Sequence, residues 1–391
     1  TFAQEGVYTF HDHYAPEMNG IIISGANDIS LITDQHACEE MSDHTQQNTC
    51  IEIYFRNVAE RVSYPQARAI YEDIAVRYLD TCHNLAHDLG KNAYQAYLQD
   101  ALPHIGQEAS SCAFGFWHGF TTAMQADRGF AASKEFCSSF SGETDELRIA
   151  NRINCYHGIG IGLIPDPPSP HLWGNFQKVI DPALEYCDTV TGDPLYKERC
   201  LTGVFHAMTT YMVNGLYGFT LDEDSLALCA LQKLEHRYTC FITLVTMIPL
   251  LTEYDLEYTF AILQKYSPSD LFSEMFLNAA IMHADAESPV EEMGAFTQQC
   301  GALRAELQQV CIQAVIIKLY ANGTPGIEYA KAIEFCSGSW IPAASKQLCF
   351  DKVILQASRV YTPEKIPEAC TSVPNEYRGH ISECRMLSYA F

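Results

Sequence analysis

Ala183-Leu-Glu-Tyr-Cys187 closes one apolar stretch, and thirteen positions after its cysteine Cys200-Leu-Thr-Gly-Val-Phe-His206 opens another. Between them lies a short polar run, so the whole reads as helix, cysteine, loop, cysteine, helix: a hairpin closed by a covalent staple. The pattern recurs. Lys134-Glu-Phe-Cys137 and Ala332-Ile-Glu-Phe-Cys336 end apolar stretches, while Cys240-Phe-Ile-Thr-Leu, Cys311-Ile-Gln-Ala-Val and Cys349-Phe-Asp-Lys-Val begin them. Taken in chain order the 16 cysteines form neighbour pairs: Cys38 with Cys50, Cys82 with Cys112, Cys137 with Cys155, Cys187 with Cys200, Cys229 with Cys240, Cys300 with Cys311, Cys336 with Cys349, and Cys370 with Cys384. Neighbour pairing is the simplest of many connectivities, and Cys82 with Cys112, the widest spaced, is the least constrained by this argument. From Cys112 the second cysteines fall at 155, 200, 240, 311, 349 and 384. That spacing has the period of α-hairpin arrays, about 35–45 residues, with one double step that Ser267 to His283 fills as an unstapled hairpin. The expected fold is therefore mainly α, a disulfide-stapled, solenoid-like array of α-hairpin repeats. An irregular helical globule with many disulfides is the alternative.

Composition narrows the function. Of 391 residues, 24 are Lys or Arg and 48 Asp or Glu, a formal charge of −24. A polyanion without a basic cluster is repelled by nucleic acid and by anionic lipid. Hydrophobic residues make up 48% and charged ones 18%, enough to bury a core. The longest strongly apolar run, Cys240 to Leu251, is shorter than the roughly 20 residues of a membrane-spanning helix. Lasting disulfides imply an oxidising compartment, hence an extracellular, cell-surface or periplasmic protein. Thr1 is not an initiator methionine and no leader follows it, so the sequence reads as a processed or partial chain.

Helical periodicity also covers Ile51 to Val62 and Pro65 to Leu79, the second with proline at a helix-initiating position. Ile164-Pro-Asp-Pro-Pro-Ser-Pro170 cannot continue a helix and reads as a loop. Asn322-Gly-Thr324 has the form of a glycosylation acceptor, a triplet common by chance. The expected organisation is a β-ribbon over 1–25, a linker over 26–46, histidine-rich stapled repeats over 47–220 and further stapled repeats over 221–391.

The first 25 residues differ in kind. Gly6-Val-Tyr-Thr-Phe10 and Gly20-Ile-Ile-Ile-Ser24 are strand-like runs around His11-Asp-His13-Tyr-Ala-Pro-Glu-Met18. This segment resembles the closing hairpin of a cupredoxin, where a G-x-Y-x-F strand leads through a copper-ligand loop into a last strand beginning Gly-x-Ile. The resemblance implies a second metal site at His11, His13 and Met18, with Asp12 or His11 standing where that family has its cysteine. Two strands make no sandwich alone. The ribbon is therefore either the end of a domain that precedes Thr1, an arm that completes a sheet on another molecule, or a hairpin packed on its own helices.

Histidines gather after cysteines: Cys82-His83-Asn-Leu-Ala-His87-Asp88, Cys112-Ala-Phe-Gly115-Phe-Trp-His118, Cys155-Tyr-His157 and Cys200-Leu-Thr-Gly203-Val-Phe-His206. Two share Cys-x-x-Gly-x-x-His, the mark of a duplicated unit. Counting about 100° per residue from each cysteine puts His87, His118, His157 and His206 opposite the cysteine face. His83 and His87, at i and i+4, can chelate one ion from a single turn. The expected metal ligands are His83, His87, His118, His157 and His206, for copper or zinc, or iron, with Asp88 orienting an imidazole. The competing reading is a set of buried imidazoles hydrogen-bonded to carbonyls, with Gly115, Gly203 and Gly158-Ile-Gly-Ile-Gly162 as close-packing points. No C-x-x-C-H accommodates c-type haem, and no G-x-S-x-G or Walker loop supplies a catalytic frame. The sequence thus favours no enzyme, although a metal-activated water with Asp88 or Glu108 as base is conceivable. Two functions follow. One is a structural or assembly protein, associating with itself or another surface protein through residues 1–25 as a head-to-tail filament. The other is a metal-binding protein for storage, delivery or electron transfer.

Overall fold

A computed structural model describes residues 6–10, 20–24, 35–101, 105, 107–140, 145–165, 167–382 and 384. It is mainly α-helical, and all eight expected disulfides form, Cys82–Cys112 among them. No cysteine is left free. Six of the staples close helix pairs outright: Cys38–Cys50 joins Gln35–Glu39 to His44–Ala59, and Cys137–Cys155 joins Gly115–Ser138 to Asp145–Gly162. Cys187–Cys200 joins Phe176–Val190 to Pro194–Val213, Cys300–Cys311 joins Val290–Leu303 to Leu307–Asn322, and Cys336–Cys349 joins Glu328–Ser337 to Ala343–Val360. Cys229–Cys240 ties the single turn Ala227–Ala230 to Leu234–Leu244. An unstapled hairpin does fill the double step, but it is Leu256–Tyr266 with Phe272–His283, so it begins ahead of Ser267, which caps its first helix.

Polar loop residues start these helices. Asp43, Asn175, Asp193 and Asp255 each accept a backbone N–H of the first turn, satisfying donors that have no partner inside the helix. Tyr64–Ala75 begins with a capping box between Ser63 and Gln66 and carries Pro65 in its first turn. The proline-rich run from Ile164 separates Asp145–Gly162 from a short 3-10 turn at Pro170–Leu172.

The core forms three clusters. One spans Cys38 to Met124, a second Cys137 to Ala314, and a third Ala284 to Cys384. No break in the core falls at residue 220, and the first stapled hairpin opens at Gln35, inside the expected linker. Nor do the units touch only their sequence neighbours, as an open solenoid requires. Ala343–Val360 packs on Asp145–Gly162, Leu307–Asn322 packs on the Cys112 turn, and the Ser110 hydroxyl donates to the Val360 carbonyl. The array folds back on itself.

Gly6–Phe10 and Gly20–Ser24 pair antiparallel, Gly6 opposite Ser24. Their side chains, the segment between them and the candidate copper ligands His11, His13 and Met18 lie outside the described residues.

Candidate metal centre

Four long helices carry the five histidines, and glycine lets them approach closely. His83 and His87 stand one turn apart on Cys82–Leu98, and His118 in the first turn of Gly115–Ser138. A Cβ on Gly119 would lie 1.8 Å from the His87 carbonyl oxygen, and one on Gly90 2.0 Å from that of Phe116, so these two backbones touch. His157 on Asp145–Gly162 and His206 on Pro194–Val213 face each other across a second such crossing. There a Cβ on Gly203 would lie 2.0 Å from the His157 carbonyl, and one on Gly160 2.0 Å from that of Cys200. Any larger residue would part the helices and separate the imidazoles.

The rings form one continuous cluster. His87 Nε2 lies 3.0 Å from His83 Nε2 and 3.1 Å from His118 Nδ1. One nitrogen from each of the three falls within 4.8 Å of the others. The ring centres of His118 and His157 are 5.0 Å apart, and His157 Nε2 is 3.0 Å from His206 Nδ1. All five expected ligands therefore converge, with His83, His87 and His118 forming the compact triad. His83 Nδ1 meets the Cys112 carbonyl oxygen at 2.8 Å; only a protonated Nδ1 can donate there, which leaves Nε2 bare and turned to the triad. Such an outer hydrogen bond fixes tautomer and ring orientation in metal-binding histidines.

Electrostatics keep the imidazoles neutral. Burial lowers the pKa of His83. Burial first, then the neighbouring imidazoles, joined by Lys91 at His87 and Arg199 at His157, push His87, His118 and His157 well below the ordinary histidine value. His206 falls to about 4, for the same reason. A neutral imidazole offers a lone pair where a charged one offers none, so each is in its ligating form near pH 7. Ligands 2.0–2.1 Å from a tetrahedral zinc lie roughly 3.3 Å apart, close to the two short contacts of the triad.

His83, His118, His157 and His206 line a cavity of about 490 Å³. The second half of the chain also lines it, through Ile242, Thr246, Met247, Leu250, Asn278 and Met282. The few histidines of that half gave no sign that it would reach the cluster.

Three expectations are corrected. Asp88 does not orient an imidazole; it is buried against Arg56, at 3.2 Å, and Lys91, at 2.9 Å. The Cys112 carbonyl takes the orienting role instead. Glu108, the alternative base, is buried where the Tyr64 hydroxyl donates to it and Arg68 stands nearby, so neither acid faces the triad. The shared Cys-x-x-Gly-x-x-His motif is not one local structure either. Cys200 to His206 lies within a continuous helix, whereas Cys112, Ala113 and Phe114 all have left-handed backbone, with φ of 51°, 54° and 61°. Counting helical phase from Cys112 was thus invalid, and His118 reaches the cluster because the helix starts afresh at Gly115.

Compared with protein-family models, curated proteins and solved structures, the chain finds no match. Among the described residues, no helix is long and apolar enough to cross a membrane.

Proposed function

We propose that this chain is a metal-binding helical protein of an oxidising compartment, extracellular, cell-surface or periplasmic, which holds copper or zinc, or iron, at His83, His87 and His118. The observation that carries the reading is the convergence of three imidazole nitrogens within 4.8 Å, one of them bare because its ring is anchored on the Cys112 carbonyl. Imidazole ligation suits these ions, and three protein ligands beside a cavity leave a position open, unlike the closed four-ligand sites that serve only structure. Storage or delivery fits an open site best, with His157 and His206 as the next nitrogens along the wall. Eight disulfides support the compartment.

The test is elemental mass spectrometry on natively purified protein beside a His83→Ala/His87→Ala double variant. About one ion per chain, absent from the variant, is the expected result; metal-free native protein would sink the reading. Assembly through residues 1–25 is a separate proposal, resting on a two-stranded ribbon that pairs only with itself among the described residues. Its check is light scattering before and after removal of residues 1–25, and an unchanged mass would refute it.

A further inference from the structure

The cavity in front of the histidines contains a full positive charge that its walls do not answer. Arg199 lines it beside His157 and His206. Its Nε is buried without a hydrogen-bond partner. Among the described residues the one acid acting on the guanidinium is its sequence neighbour Glu198, and burial raises the pKa of that carboxyl. Burial in turn lowers the pKa of Arg199, the sign of a charge removed from water without compensation. A partly buried guanidinium with one nitrogen shut from water and no acid paired to it is costly unless something anionic completes it, and its planar fork matches a carboxylate or phosphate. The neutral imidazoles beside it bring no negative charge.

The rest of the wall indicates what else an occupant needs. Thr202, Thr209, Thr243 and Thr246 each donate the hydroxyl proton to a carbonyl of their own helix, at 2.7–2.9 Å. Their oxygens remain as acceptors and call for donors from the ligand. Val213, Ile242, Met247 and Met282 supply apolar surface. At about 490 Å³ the space suits a small organic molecule rather than a bare ion.

We propose that this cavity binds a small hydroxylated carboxylate, its carboxylate on Arg199 and its hydroxyls donating to the threonine oxygens. The charge argument holds for the metal-free protein, so the proposal stands or falls apart from the metal reading. The experiment is calorimetric titration of the full chain, dialysed against chelator, with glycerate, with propionate as the hydroxyl-free analogue, and with inorganic phosphate and glycerol. Glycerate is expected to bind once per chain, propionate and phosphate at least about tenfold more weakly, and glycerol without measurable heat. Arg199→Gln is expected to weaken glycerate by about 10- to 100-fold, and Arg199→Lys, which keeps the charge but loses the fork, by less. Far-UV circular dichroism checks that both variants fold; if Arg199→Gln does not, Arg199→Lys carries the test. No saturable heat with glycerate, or a folded variant that binds it as tightly as the parent, overturns the proposal. Propionate or phosphate binding as tightly as glycerate overturns the hydroxyl requirement and leaves a plain anion site.

Discussion

Acid should destabilise the metal-free protein before the carboxylates titrate. His206 has a folded pKa of about 4 against an ordinary 6.5, and His87, His118 and His157 are also held well below 6.5 by burial. The folded state keeps these rings neutral, while the unfolded chain takes up protons as pH falls through 6.5. Stability is therefore lost on acidification and is fully present only above the unfolded pKa. Between pH 7 and pH 5 the His206 ring alone costs about 2 kcal/mol, and the other three act in the same direction, against a typical 5–15 kcal/mol. His283, also lowered to about 4, acts in the same sense, and buried Glu328, raised to about 7, in the opposite one, so these two nearly cancel. The assay is urea unfolding followed by circular dichroism at pH 7, 6 and 5, in chelator, with disulfides intact. A loss no greater than the about 2 kcal/mol of one ring would refute the picture of a neutral buried cluster. Saturating metal should flatten the curve, because an ion that binds only the folded state opposes the protons.

Further outcomes are expected. Gly119→Ala would put a methyl 1.8 Å from the His87 carbonyl, and so should lower both stability, by about 1–3 kcal/mol, and metal content. Gly192→Ala, whose Cβ meets nothing within 4 Å, is the control that should change neither. Replacing Cys336 and Cys349 by serine removes a staple of separation 13 on helices that carry none of the five histidines, and should shift urea unfolding by about 3 kcal/mol with metal stoichiometry intact. Tyr361→Phe deletes the hydroxyl that donates to Glu328 and holds its pKa down. The carboxylate form loses most, so destabilisation should be greater at pH 8 than at pH 6; an equal loss at both would argue against an ionised Glu328.

Much of this was legible because cysteine fixes direction as well as linkage. A cysteine at the end of an apolar stretch marks the face turned to the partner helix, and the histidines could be placed relative to it. Of the five imidazoles so placed, His83, His87 and His118 form the compact triad. The backbone leaves the helix where no compositional signature marks it: Cys112 to Phe114, three successive non-glycine residues in left-handed conformation. Nor does helical phase say that Met247 and Met282 will line the cavity beside His206. Asp88 was misread for a related reason. One position beyond His87 it turns about 100° away, toward Arg56. Arg199 carried no signal at all, because a single arginine beside a cysteine looks like any solvated surface charge.

The staples have a consequence for how the molecule is made. Each disulfide spans between 11 and 30 positions, and no bridge encloses another. A chain emerging from its N-terminus can thus complete each bridge before the next pair of cysteines appears. The correct partner is always the nearest unpaired thiol, which loop-closure entropy favours over any more distant one. Oxidative maturation becomes a sequence of local decisions, and a truncated chain keeps every bridge synthesised before the cut.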